Sequence, residues 1–336
     1  MSVKAKEAEA DAATIAFHIA LTRIGIGTIE EALTLWTDVN PAKIAPTSGR
    51  WLERAVVLVL SRRKWSRDLA FSYYRLVRAL RTGATIKDPY HPDEPTPTLS
   101  SLRRDFASRV DEVGRVAGAT ESPVAAPEPR SADDEADRLL IEELADLLAE
   151  DERLEKLAEE EARLDLEALG PANLKSKLKD IGATDAEEMD AIRDQAHREA
   201  GARQAAAAER MALNGGRGAL WSYADQDSRA LGYVRISRTG TPCGWCAMLI
   251  SRGVIFYKSK ASAEFKSDGD LYHDNCHCYA EPVFTMQQYA SEMFALNRQY
   301  ETEWPDVTKG LGGKDALNAW RRYINKQQGR TFQIKD

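Results

Sequence analysis

The sequence predicts a mainly α protein carrying a small α+β zinc-binding module near its C-terminal end. Three observations predict it. Apolar residues recur at helical spacing through most of the 336 residues. The texture then changes after Gly232, where Tyr233-Val-Arg-Ile-Ser237 alternates as a strand does. Finally, all four cysteines fall in that later region, as Cys243-Gly-Trp-Cys246 and Cys276-His277-Cys278. Hydrophobic content of 43% and charged content of 29% are ordinary for a chain that buries a sizeable core.

Residues 1–116 read as a helical N-terminal domain. Ile15, Ile19, Leu21 and Ile24, then Ile29, Leu33 and Leu35, mark apolar faces. Thr28-Ile-Glu-Glu31 has the form of a capping box and predicts a fresh helix start. A long amphipathic helix is expected over 49–80, stopped by Thr82-Gly83. Four prolines between Asp88 and Pro97 exclude helix interior there, because each removes a donor and fixes the backbone extended. A short helix is expected over 99–116.

Residues 117–132 are rich in Ala, Pro and Ser and read as a flexible linker. Residues 133–230 read as acidic and alanine-rich helices. Leu140, Leu144, Leu147 and Leu154 sit at helical spacing, and Gly170-Pro171 should stop that helix. A further helix should start at Thr184-Asp-Ala-Glu187, run to Leu213, and end at Gly215-Gly216. Residues 231–285 form the Cys/His metal-binding module, with a helix over 246–251 and strands over 254–257 and 279–284. Residues 286–336 form a basic helical tail with Trp320, Tyr323 and Ile324 on one face.

Charge is segregated. Residues 131–170 hold 16 acids and 4 bases, against −7 for the whole chain, so the remainder is net basic. Residues 50–82 hold nine bases and two acids, and residues 309–336 seven bases and two acids. Such separation predicts charged partners, or domains that meet through these surfaces. The basic helix also carries Trp51, Trp65, Tyr73 and Tyr74. Basic plus aromatic is one signature of nucleic-acid binding; the reading favoured here is that these aromatics are core. No apolar run approaches the ~20 residues of a membrane span. Without a basic-then-apolar leader, the expectation is a reducing cytoplasm, where clustered cysteines bind metal rather than each other.

Five groups compete for a tetrahedral metal: Cys243, Cys246, His273, Cys276 and Cys278. Thiolate and imidazole are the ligands zinc prefers, and short knuckles bring two ligands to one ion without long-range folding. Along a strand Cys276 and Cys278 would face one side and His277 the other. A turn at Asp274-Asn275 could instead bring His273 to Cys276, and the sequence leaves both arrangements open. The C-x2-C spacing also fits thiol–disulfide exchange, but no βαβ pattern surrounds it. A histidine-activated nuclease is the other chemical alternative, and His273-Asp274-Asn275 is spaced too tightly for it. His18 on an apolar face should be packed. His91 lies in the proline loop and His197 on a polar helix. No Walker A loop, G-x-S-x-G or H-E-x-x-H is present.

Thr241-Pro-Cys-Gly-Trp-Cys-Ala-Met-Leu249, His273-Asp-Asn-Cys-His-Cys278 and Glu281-Pro-Val-Phe284 together resemble the Mu F-type minor head proteins of tailed bacteriophages, in the version found in phages of actinobacteria. That family carries a C-x2-C ahead of an H-x2-C-x-C. The likeness covers residues 232–284, with support from Ala32-Leu-Thr-Leu-Trp36 and the helix after Trp51. Where many members have an acidic-Arg-Thr stretch, this chain has Ser237-Arg-Thr-Gly240. The resemblance implies a head-morphogenesis component of the virion, assembled in the host cytoplasm. Its implied partners are the phage portal and capsid or scaffold proteins, with no membrane; whether the basic tail binds DNA is left open by the sequence. It implies a structural role in capsid assembly and genome packaging or ejection, with structural Zn2+ and no catalytic residues. The competing class is an enzyme, either a capsid maturation protease or a zinc-dependent nuclease.

Overall fold

The computed structural model describes residues 2–94, 97–116, 139–144, 147–179, 186–254, 274 and 276–329. The expected linker at 117–132, the helix start at Thr184, most of the strand at 254–257, and His273 lie outside the described residues. The chain is mainly helical with a few short strands, as its periodicity predicts.

Three long helices make the frame: α1 (Val3–Trp36), α2 (Ile44–Thr82) and α6 (Ala186–Gln226). Between α2 and α6 come β1 (Ala84–Ile86), α3 (Leu99–Val116), β2 (Leu140–Glu142), α4 (Leu147–Glu167) and α5 (Asn173–Leu178). After α6 come β3 (Gly232–Ser237), α7 (Gly244–Ile250), β4 (Cys278–Val283), α8 (Met286–Tyr289), α9 (Ala295–Val307) and α10 (Gly313–Gln327).

Helix α1 runs straight through the expected start at Thr28. Thr28 is fully buried, and its hydroxyl donates to the Ile24 carbonyl at 2.7 Å instead of capping anything. The side facing α2 and α6 is small and apolar: Ala13, Ala16, Phe17, Ala20, Leu21 and Ile24. Ile15 and Leu33, read from periodicity as core, are exposed. By length and composition α1 could cross a bilayer, contrary to the reading of the sequence, but half of its apolar window is buried within the protein. Helix α2 ends as expected. Gly83 adopts φ +74°, and its N–H donates to the Ala79 carbonyl at 2.9 Å.

The expected stop at Gly215-Gly216 is a crossing point instead, and α6 continues to Gln226. A Cβ at Gly215 would lie 2.3 Å from the Arg63 carbonyl oxygen, and one at Gly216 2.7 Å from that of Ser66. The two glycines therefore let α6 touch the α2 backbone. Ser66 stitches the crossing, donating to the Ala212 carbonyl at 2.5 Å and accepting the Gly216 N–H at 2.9 Å. The stop expected at Gly170-Pro171 also fails. The chain passes through a π-helical turn (Ala168–Ala172) into α5, with Gly170 lodged against Trp36 and Trp51. Leu140, read as helical, lies instead in β2, which pairs parallel with β1 in the register Ala84↔Leu140 to Ile86↔Glu142.

The charge segregation is used within the chain. Arg63 bonds Glu155 at 3.0 Å, and Arg229 and Arg78 both bond Glu142. The Arg78 guanidinium is fully buried, with Asp227 accepting from Nε at 2.6 Å and Nη2 at 3.0 Å. Of the aromatics of α2, Trp51, Tyr73 and Tyr74 are core, whereas Trp65 is half-buried with Arg62 over its ring.

Strand β4 pairs antiparallel with β3, from Gly232↔Val283 to Ser237↔Cys278. Its side chains enter the same core as the N-terminal helices. Glu281 is fully buried, accepting from the Tyr73 hydroxyl at 2.6 Å and the Thr14 hydroxyl at 3.3 Å. Burial first, and the Glu281 charge second, raise the Tyr73 pKa well above that of a free phenol. His18 is packed as expected, its ring stacked on Tyr279 with centroids 4.4 Å apart.

Candidate metal centre

Cys243 caps α7. Its backbone is extended, and its sulfur accepts the Cys246 N–H at 3.4 Å. That places Cys246 in the first turn, facing inward and buried. The intervening Gly244 is there for space, since a Cβ would lie 2.8 Å from Cγ of Arg321 on α10. The second pair straddles the start of β4. Strand alternation buries Cys276 and Cys278 and leaves His277 exposed.

The sulfurs of Cys246, Cys276 and Cys278 all lie within 4.8 Å of one another. Sulfurs bound to one tetrahedral zinc at ~2.3 Å would sit ~3.8 Å apart, so the three fit a single ion. Cys246 and Cys276 are 3.4 Å apart, far beyond the ~2.05 Å of a disulfide, and all four cysteines are free thiols. Cys243, half-buried beside them, belongs to the same apolar cluster and is near enough to hydrogen-bond Cys246. His277, an outside candidate in the sequence, is not part of the cluster.

Negative charge concentrates on Cys276. Hydrogen bonds from Cys246 and Cys278 hold its thiol well below the usual range, and Arg217 and Arg235 add to the effect. Cys246 is pushed far up by its bonds to Cys243, Cys276 and Cys278, with burial adding to them. A cluster that readily yields a first thiolate, and yields further ones only when a cation compensates them, is suited to a metal.

Two arginines of α6 hold the loop that bears Cys276, and neither was legible in the sequence. Arg217 is 2% exposed and donates to the Cys276 carbonyl at 2.6 Å. Arg210 spreads over three carboxylates: Glu161 at 2.6 Å, Asp165 at 2.5 Å and Asp274 at 2.9 Å. It thereby ties the residue two before Cys276 to α4. A lone arginine on an alanine-rich helix gives no sequence signal of such a task. The outer wall is the tail. Trp320 and Ile324 of α10 and Tyr300 of α9 are buried against the cysteines, with Tyr323 half-buried beside them, as the tail's apolar face predicts.

Residues 155–303 match the family model described as VG15 protein, a match that spans all four cysteines and suggests a phage protein. No curated protein and no solved structure matches the chain.

Proposed function

We propose that the chain is a Mu F-type minor head protein of a tailed phage, a portal-associated structural component acting in capsid assembly and in genome packaging or ejection. The observation that carries this reading is the thiol cluster lying inside the region matched by the phage family model. Three of the motif's residues, Cys246, Cys276 and Cys278, lie together in the fold, with Cys243 packed beside them. The coarser conclusion, a phage protein fit for association with the virion, rests on the match alone.

In this reading Cys243, Cys246, Cys276 and Cys278 hold one structural zinc. A catalytic zinc keeps a position open for water and uses three protein ligands. Here Cys246, Cys276 and Cys278 are buried in one apolar cluster with Trp320 and Ile324, and thiolates make a bound water a poorer acid. The chain is therefore proposed to be a non-enzymatic assembly protein. The bound ion would join α7 to β4, and through β4 to the α1–α2 core.

The test is co-expression with the portal protein of the same phage, followed by size-exclusion chromatography. Co-elution with the portal, lost on Cys246→Ser, is the expected result. A protein that elutes apart from portal, capsid and scaffold alike, or that cleaves capsid protein or plasmid DNA, overturns the reading.

A further inference from the structure

A second polar site lies along α2, with Tyr223 of α6 in its lining. A cavity of about 950 Å³ opens between α2, the proline loop after β1, and the start of α3. Four features of its lining point to one ligand chemistry.

The first is a ligand trio. Asp88, His91 and Glu94 present donor atoms within 4.8 Å of one another. Mixed carboxylate and imidazole donors suit divalent cations harder than those a thiolate cluster selects, such as Mn2+ or Mg2+. The second is a pair of buried polar groups left without a partner among the described residues. The Tyr223 hydroxyl is fully buried, and so is Nε of Arg75. Both side chains line this cavity. A buried donor without an acceptor costs ~1–3 kcal/mol, so both await an acceptor. Arg75 also reaches Asp88 at 3.5 Å, linking the donor pair to the trio.

The third feature is the N-terminus of α3. Thr98, Ser101 and Leu102 line the cavity, and the helix runs 18 residues away from it. Its end is held in place by a reciprocal cap, with Thr98 N–H donating to the Ser101 hydroxyl and Ser101 N–H to that of Thr98. Helix N-termini favour anions. The fourth is positive charge: Lys64, Arg67, Arg104 and Arg109 are also in the lining, Lys64 and Arg67 beside Asp68 and Arg109 beside Glu112.

A bare anion would meet Asp68, Asp88, Glu94 and Asp105 in the same lining. A bare cation would meet Arg75. An anion that brings a divalent cation meets both sets, which in its absence pair with each other through Arg75 and Asp88. Phosphoryl oxygens bridge a metal and an arginine in this way, and they accept from a phenol. We propose that this cavity binds a phosphoryl group together with a divalent cation. The cation sits on Asp88, His91 and Glu94, and the phosphoryl oxygens on Arg75 and Tyr223, with the α3 N-terminus contributing its dipole only.

The test uses the zinc-replete full chain and does not depend on the cysteine centre. Free Mn2+ is followed by electron paramagnetic resonance as it is titrated, with and without inorganic phosphate. The expectation is one Mn2+ bound at this site, held about tenfold more tightly when phosphate is present. His91→Ala removes an exposed side chain without disturbing the core, and should abolish Mn2+ binding. Tyr223→Phe keeps the ring, and should leave Mn2+ binding intact while losing most of the phosphate effect. Mn2+ that does not bind, Mn2+ that still binds His91→Ala, or a phosphate effect that is absent or unchanged in Tyr223→Phe overturns the proposal.

Discussion

Arg217 grips Cys276 by its main chain. The guanidinium of a residue deep in α6 donates to the Cys276 carbonyl at 2.6 Å, so the longest helix positions the main chain that carries the thiol. Arg217→Met should leave that carbonyl without its charged donor. The expected loss is ~1.5–3 kcal/mol, the usual worth of a hydrogen bond to a charged group. Urea unfolding measures it, and zinc release to a chelator should speed up in parallel. A variant as stable as the parent would assign the loop's position to the sulfurs alone.

Purified under reducing conditions, the protein should hold about one zinc per chain, because a closed thiolate site binds one ion. Chelation should unfold the region around β3, α7 and β4, since metal binding there contributes folding free energy. Cys246→Ser should lower both metal content and melting temperature. Elemental analysis finding no zinc would end the structural-metal reading.

Two glycines of α6 should respond in opposite directions to alanine. Gly215→Ala puts a methyl 2.3 Å from the Arg63 carbonyl and must push α6 off α2. Gly218 has nothing within 4 Å of its Cβ position. Gly218→Ala should therefore gain up to ~1 kcal/mol of helix propensity, while Gly215→Ala should lose more than that gain. Thermal melts of the two variants decide it, and equal shifts would refute the close crossing.

Acid should weaken the pairing of β1 and β2. Hydrogen bonds from Arg229 and Arg78 pull the Glu142 carboxyl down to about 2. A carboxylate with a depressed folded-state pKa contributes stability that is present above its unfolded value and lost as pH falls through the folded one. The window therefore runs from ~4.5 down to ~2. Glu142→Gln should be less stable than the parent at neutral pH, and the difference should shrink across that window. Because other groups titrate in the same window, the quantity to follow is the gap between the two proteins in parallel urea titrations.

The elements legible in advance were those set by neighbours along the chain. Thr82-Gly83 ends α2 because only the local backbone is involved. The pairing of Cys276 with Cys278 was one of two arrangements the sequence left open, and the structure places both sulfurs beside Cys246. The misreadings have the opposite origin. Thr28 and Gly215-Gly216 carry the residue types of a helix start and a helix stop, but their task is set by a helix distant in sequence. A glycine that ends a helix and one that admits another backbone look alike until the partner is known. Leu140 has helical spacing with its neighbours, yet β1 draws it into a strand from 56 residues away. For the candidate metal centre, a cysteine cluster could be read from its spacing, and the two arginines that hold the segment bearing Cys276 could not.

The bond from Tyr73 to Glu281 spans 208 residues. During synthesis at ~5–20 residues per second, Tyr73 leaves the ribosome roughly 10–40 seconds before its acceptor exists. Through that interval α1 and α2 present an apolar face, with the hydroxyls of Thr14 and Tyr73 lacking their carboxylate. The frame helices cannot reach their final packing until β4 arrives. The nascent chain is therefore exposed to aggregation or to capture by a chaperone for most of its own translation.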